Sequence, residues 1–261
     1  MKKSIFKRII SMALMFTVGI MPAVNVYAEP LTNGSELTEM MNHYGSEYID
    51  KHLDTRTQQL IILSAMTALQ AYSQIKEQVK TALNSGVTPA EIKEAVYQAA
   101  PYCGYTKALS AMESVDEVFN ERKIPIIESQ STVNENNRYE KGLEVQRSIF
   151  GPEIGTITDD MTDSQKVITK YLSGICFGDF YTRSTLDVKT RELLTLSVLT
   201  ANGGCESQIG SHTNGNLTVG NTRDQMLAAV LLCVPYNGYP RTLNAMNAIN
   251  TAADAYEANK K

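Results

Sequence analysis

The sequence predicts an all-α fold built from two tandem copies of one helical unit, on three observations. The first is internal repetition: LDTRTQQLIILSAMTALQ (53–70) lies over LDVKTRELLTLSVLTANG (186–203) at a spacing of 133. Leu53/Leu186, Asp54/Asp187, Thr57/Thr190, Leu60/Leu193, Leu63/Leu196, Ser64/Ser197 and Thr67/Thr200 coincide. One extra residue later the match resumes, with ALNSGVTPAEI (82–92) over NLTVGNTRDQM (216–226) and PYCGYTKALSAM (101–112) over PYNGYPRTLNAM (235–246). Three blocks in the same order mark a duplication. The second observation is that each copy carries helical spacing and helix-start signals. The third is that no stretch alternates apolar and polar residues as a half-buried strand does.

Taken in order, the chain opens MKKSIFKR, runs into the apolar IISMALMFTVGIMPAVNV and reaches the small residues Val26 and Ala28 before Glu29-Pro30. This is the pattern of a secretory signal peptide cut after Ala28, which implies an exported protein (secreted, periplasmic or cell-surface). An uncleaved anchor is the alternative, because the apolar run is long for a signal core; Pro22 and the small residues favour cleavage. Residues 29–122 form the first copy, led in by GSELTEMMNHYGSEYIDKH (34–52). From Thr57 to Ala71, Leu60, Ile61, Leu63 and Ala68 fall near helical spacing. Thr88-Pro89-Ala90-Glu91 supplies an N-cap, a proline at the first helical position and a capping-box acid. Gly104 then breaks one helix before ALSAM begins another.

KIPIIESQSTVNENN (123–137) is polar and proline-punctuated, a linker. The second copy, 138–261, begins with two further predicted helices, NRYEKGLEVQRSIFG (137–151) and SQKVITKYLSGICFGDFYTR (164–183). Thr222-Arg223-Asp224-Gln225 repeats the capping box, and Gly238 repeats the helix break.

Composition bounds the partners. The whole chain carries a net charge of −4; loss of Lys2, Lys3, Lys7 and Arg8 with the leader leaves 20 basic against 28 acidic groups, a net of −8. That argues against nucleic acid or anionic lipid as a partner and leaves a small-molecule substrate as the expectation. The remaining 233 residues can bury one substantial core or two small ones. Cys103, Cys176, Cys205 and Cys233 permit disulfides in an exported protein, but they are too sparse for a disulfide framework and are expected to pack mostly as small hydrophobes.

RYEKGLEVQRSIFG, FGDFYTRSTLDVKTRELLTLSVLTA, the Cys205-to-His212 segment with NGNLTVGNT, and PYNGYPRTLNAMNAI together resemble the carboxymuconolactone decarboxylase family, which also contains the AhpD-type alkylhydroperoxidases. The resemblance spans roughly residues 45–255. It implies an AhpD-like helical bundle and, with two family units fused in one chain, a homotrimer. It also implies active positions at Glu192, in the RELL helix, and at His212, in the next helix. The peroxidase branch adds a Cys-x-x-Cys ending four residues before that histidine; here Cys205 matches the first cysteine and Gln208 stands in place of the second.

If residues 204–218 form one helix, Cys205 and His212 share a face but lie roughly 10 Å apart along the axis, so direct contact between them is not expected. Gln208, four residues before His212, is then the natural neighbour, and its amide is placed to fix the ring's tautomer. Arg191, Arg183 and Arg241 are candidates to hold a substrate carboxylate, and each is equally suited to packing or surface ion pairing. With one histidine, one cysteine and no second ligand pair, neither a metal nor a cofactor is expected. His43 and His52 read as surface groups. The first copy has Gln59 where the second has Glu192, and Gln78 where the second has His212. Both titratable groups are therefore absent together from copy one.

Three functions remain open at this point. One is a cofactor-free acid/base enzyme of the carboxymuconolactone decarboxylase type, acting on a small lactone or organic acid through His212 and Glu192, with Cys205 beside them. Another is an antioxidant thiol peroxidase with peroxiredoxin activity centred on Cys205, which needs an acidic thiolate and a resolving thiol. The third is a non-catalytic secreted oligomer that binds a ligand or partner.

Overall fold

The computed structural model describes residues 34–41 and 44–259. The leader expected over residues 1–28, and His43, lie outside the described residues. The described chain is helical without strands. A short helix, α1 (Ser35–Met41), stands at its start, and the described residues from Met40 onward group as one compact unit. No helix among the described residues is long and apolar enough to cross a membrane.

Each copy supplies the same succession. After α2 (Glu47–His52), the first copy folds as α3 (Thr55–Leu69), α4 (Tyr72–Asn84), α5 (Pro89–Cys103) and α6 (Tyr105–Glu121). The second folds as α9 (Val188–Asn202), α10 (Glu206–Thr218), α11 (Arg223–Leu232) with the one-turn α12 (Val234–Asn237), and α13 (Tyr239–Ala258). The repeated residues do the same local work in both halves. Asp54 and Asp187 cap α3 and α9 by accepting from the backbone N–H of Thr57 and Thr190, at 2.7 and 2.8 Å. Thr88 with Glu91 and Thr222 with Gln225 close reciprocal capping boxes on α5 and α11. Gly104 and Gly238 stop the helices before α6 and α13 at positive φ, 101° and 75°, where a side chain would be strained.

The two copies share one core. α3 and α9 are buried on nearly every face and pack against each other, and α5 packs against both; Leu60, Leu63, Leu194 and Leu196 are wholly buried in a single apolar cluster that draws on both halves. Neither copy could close that cluster alone.

The second copy has a lead-in that the first lacks at this length: α7 (Arg138–Phe150) and α8 (Asp163–Tyr171), the latter continuing as a π-helix over Leu172–Tyr181. The sequence reads 164–183 as one ordinary helix, so the π-helical half is a difference. Its consequence is geometric. In an α-helix Cys176 and Tyr181, five residues apart, would point roughly 140° away from each other. The i→i+5 ladder brings them to one face, and both join Phe177 and Ile149 in a second apolar cluster. Two glycines let α7 lie directly on this segment: a Cβ on Gly142 would collide with the Ser173 carbonyl, and one on Gly178 with the Arg138 carbonyl.

A second difference concerns α10. The helix begins at Glu206, not at 204, because Gly203 and Gly204 both hold positive φ (72° and 66°) and Cys205 sits outside helical dihedrals as the N-cap.

Candidate active site

α9 and α10 run side by side, and their spacing is fixed by Asn216. Its side-chain amide donates to the carbonyls of Glu192 (3.2 Å) and His212 (2.8 Å), and its oxygen accepts from Asn221 (2.8 Å). Between these staples Glu192 Oε2 meets His212 Nδ1 at 2.9 Å. Glu192 is 0% and His212 8% exposed. Gly215, one turn beyond His212, is needed there: a Cβ would stand 2.8 Å from Ile149 Cγ2 and 2.9 Å from both Glu192 Oε2 and Phe150 Cε1. The imidazole is walled edge-on by Tyr102 and Phe150, with ring centroids at 5.4 and 5.2 Å.

The other Glu192 oxygen, Oε1, accepts from the Tyr181 hydroxyl at 2.7 Å. Tyr181 is also 2.9 Å from Thr195 Oγ1 and 2.9 Å from the Tyr102 hydroxyl, and Cys176 donates to Tyr102 at 3.7 Å. Burial pushes both tyrosine hydroxyls well above their ordinary value, with further upward contributions from their neighbours Cys176 and Glu192, so both stay protonated. Each hydroxyl has one proton to give. Tyr181 gives its proton to Glu192 and therefore receives those of Tyr102 and Thr195. Thr195 in turn accepts from Gln98 Nε2 at 3.0 Å, and Gln98 Oε1 accepts from Arg191 at 2.9 Å. The donors thus run one way, Arg191 to Gln98 to Thr195 to Tyr181 to Glu192. With both Glu192 oxygens accepting, the ring is bonded through Nδ1–H, and Nε2 has no hydrogen-bond partner among the described residues.

The sequence-derived candidates fall into three places. Glu192 and His212 are together. Arg191 and Arg183 are buried, but they face Glu94 of the first copy rather than the imidazole: Arg183 Nε lies 2.8 and 2.9 Å from the two Glu94 oxygens, and Arg191 donates to Glu94 (3.0 Å), Gln98 and the carbonyls of Leu186 and Arg183. Arg183 also covers the Tyr97 ring at 4.8 Å. Cys205, Gln208 and Arg241 lie toward the start of α10. Gln208 is exposed; the residue that orients the imidazole is Glu192, twenty positions away, because α9 and not the preceding turn of α10 covers Nδ1. Arg241 donates to the Ala201 carbonyl at 2.6 Å and so caps the end of α9. His52 is half-buried against Tyr48, 4.7 Å between ring centroids.

All four cysteines are free thiols. Cys205 donates to the Gly203 carbonyl at 3.4 Å; burial and then the neighbouring Glu206 push its pKa up. Burial takes Cys103 to about 11 and Cys176 and Cys233 to about 12. Among the described residues no group of three or more His, Cys, Asp or Glu side chains is placed to hold a metal ion. An open groove of about 620 Å³ between α10 and α13 is lined by Ser207, Gly210, Asn244 and Ala248. At 100° per residue Ser207 and Gly210 point away from His212, so this groove belongs to the other face of α10.

The first copy repeats the geometry without the chemistry. Gln78, 9% exposed, donates from Nε2 to Gln59 Oε1 at 2.6 Å, so the counterparts of His212 and Glu192 are also bonded to each other but carry no titratable group.

Sequence reasoning missed Tyr181, Tyr102, Thr195, Gln98 and Glu94. The available signal was polar side chains inside otherwise apolar helices. It was not decisive, since the partners of Gln98 and Glu94 lie 89 to 97 residues away, across the copy boundary.

Comparison with known proteins agrees with this division. The sequence model of the carboxymuconolactone decarboxylase family matches twice, over residues 36–117 and 168–251. A 4-carboxymuconolactone decarboxylase of Acinetobacter baylyi is 28% identical over 116 residues, covering 44% of this chain and 86% of that protein. A nitrosuccinic acid decarboxylase of Metarhizium robertsii is 33% identical over 125 residues, covering 45% and 84%. Each of these relatives therefore aligns with less than half of the present chain, while the family model finds a unit in each half. On those two matches the chain belongs to the carboxymuconolactone decarboxylase family.

Proposed function

We propose that the second copy is a cofactor-free acid/base decarboxylase site for a small organic or lactone acid, with His212 as the proton carrier and Glu192 as its partner. The observation that supports this reading most is the buried Glu192–His212 pair, with Nδ1 bonded to the carboxylate and Nε2 unpartnered. The two named relatives act on acids that share one property: loss of CO2 leaves an electron pair that an adjacent conjugated lactone or nitro group can delocalise. A substrate of that kind needs no electron sink from a cofactor. The carbon–carboxyl bond breaks, its electrons enter the acceptor as an enolate-like anion, and CO2 departs. Nε2 takes up one proton, from the substrate's carboxyl group or from solvent, and the resulting imidazolium delivers it to carbon, while Glu192 holds the ring through Nδ1 and stabilises its positive charge. Phe150 and Tyr102 stand edge-on against the imidazole and cover part of it.

The test is turnover of a panel of such acids in D2O. The expected result is CO2 release with one deuterium placed on a carbon of the product, at a rate unaffected by chelators. Absence of turnover across the panel would refute the reading.

The thiol peroxidase reading draws less support, because each thiol is pushed toward its unreactive protonated form and Cys205 has Glu206 beside it rather than a cation.

A further inference from the structure

The first copy retains no titratable pair, yet its α5 reaches into the second copy's site. Tyr102 bonds Tyr181, and Gln98 bonds Thr195 and Arg191. The two tyrosines have tyrosine counterparts, Tyr236 for Tyr102 and Tyr48 for Tyr181, but the other network residues differ. At the repeat spacings, Ile62 stands for Thr195, Gln58 for Arg191, Leu232 for Gln98 and Ala228 for Glu94. Tyr48, the counterpart of Tyr181, donates instead to Asp224 at 2.9 Å. The polar chain therefore exists only on the side that serves Glu192 and His212; Gln59 and Gln78 have no equivalent of it.

We propose that Gln98 and Tyr102 of the first copy are positioning residues for the second copy's pair, acting through Thr195 and Tyr181 to hold the Tyr181 proton on Glu192. This rests on the functional reading of that pair, and it assigns the first copy a part in the chemistry although it carries no site of its own. The physical argument is donor counting. Tyr181 donates to Glu192 Oε1, so its oxygen can only accept from Tyr102 and Thr195, and those two bonds hold the hydroxyl that faces the carboxylate. Thr195 accepts from Gln98 and directs its single proton to Tyr181, and Gln98 is itself oriented by Arg191, a group with donors only. Cooperative polarisation along such a chain strengthens its last bond. The charged groups around the pair are Glu94 on α5, Arg191 on α9 and Arg183 in the segment before α9; Cys176, Tyr181 and Tyr102 are the remaining titratable neighbours.

The experiment reads the His212 ring directly, by 15N NMR of histidine-labelled protein without substrate, following tautomer and titration midpoint. A Tyr181 donor stabilises the carboxylate, so its loss makes the pair take up a proton at higher pH. Tyr181→Phe is expected to move the midpoint up, and Tyr102→Phe and Gln98→Met each to move it up by less. Tyr48→Phe, the control, is expected to leave it in place. If Gln98→Met does not fold, Thr195→Val cuts the same link with a side chain of the same shape. Midpoints for Tyr102→Phe and for the Gln98→Met or Thr195→Val variant that coincide with the unmodified chain overturn the proposal, whatever Tyr181→Phe does. The NMR readout does not depend on turnover. Shifts as stated in a chain that decarboxylates nothing would remove the functional reading and keep the positioning; turnover with unmoved midpoints would do the reverse.

Discussion

Glu94→Gln deprives two buried guanidinium groups of their shared carboxylate. Arg191 is wholly buried, Arg183 nearly so, and both reach Glu94 at 2.8–3.0 Å. Burial pulls the Arg191 pKa down and Glu94 is the first group that pushes it back, so the carboxylate keeps a charged side chain tolerable in the core. Removing one partner from a buried ion pair costs about 3–5 kcal/mol, chiefly because the other is left uncompensated. The amide that replaces the carboxylate can still accept one hydrogen bond, which puts Glu94→Gln at the lower end, about 3 kcal/mol. Against a total stability of roughly 5–15 kcal/mol that is a large fraction. For a unit of this size it corresponds to a Tm lowered by roughly 6–12 °C, or a urea midpoint lowered by about 1 M if m is near 3 kcal/mol/M. Urea unfolding followed by circular dichroism, with m unchanged, is the assay. Pairing Glu94→Gln with Arg191→Met is expected to cost less than the sum of the single changes, since the two groups interact directly. A loss under about 1 kcal/mol for Glu94→Gln, or simple additivity with Arg191→Met, would refute the claim that this cluster ties the copies together.

Three further outcomes follow from single positions. Gly215→Ala places a methyl against Ile149, Phe150 and Glu192; it is expected to lower stability by about 1–3 kcal/mol and to reduce turnover, measured together by melting and assay. For the N-cap Asp187, burial alone would raise the pKa, but hydrogen bonds from Thr190 and the charges of Arg56 and Lys189 outweigh it and the folded value is lowered. Its charged form therefore stabilises the fold above the ordinary aspartate value, and that contribution disappears as pH falls through the lowered folded value; Asp187→Ala should cost about 1 kcal/mol at neutral pH and progressively less in acid. Thiol alkylation should be slow at neutral pH at Cys205, accelerating only above the ordinary thiol value of 9.0, and should reach Cys176 and Cys233 only after unfolding. Fast labelling of Cys205 at pH 7 would restore the peroxidase reading.

The fold was legible where its causes are local. Asp54, Thr88, Asp187 and Thr222 announce helix starts within three residues of themselves, and the spacing of 133 exposes the duplication without any knowledge of contacts. Glu192 and His212 were singled out by the resemblance to the family's active positions, and the absence of both titratable groups from the first copy supported reading them as a pair. What could not be read is whatever depends on a distant element. The π-helical winding of Leu172–Tyr181 answers to close packing on Gly142 and Gly178, and only that winding turns Cys176 and Tyr181 to one face. For Arg191 the sequence left substrate binding and ion pairing equally open, because its partners Glu94 and Gln98 lie in the other copy. Gln208 looked like the tautomer-setting neighbour because helical spacing sees its own helix and not α9.

The central claim is that proton transfer runs through His212 and Glu192 and not through Cys205. Its most direct test is steady-state turnover of a decarboxylated acid, and separately of a hydroperoxide, by His212→Asn, Glu192→Gln and Cys205→Ser, each checked for unchanged fold. The account predicts that the first two abolish decarboxylation while Cys205→Ser keeps most of it, since the sulfur is bonded to the Gly203 carbonyl at the edge of α10 and has no proton to deliver at Nε2. Loss of activity on Cys205→Ser, with His212→Asn or Glu192→Gln still active, would contradict it.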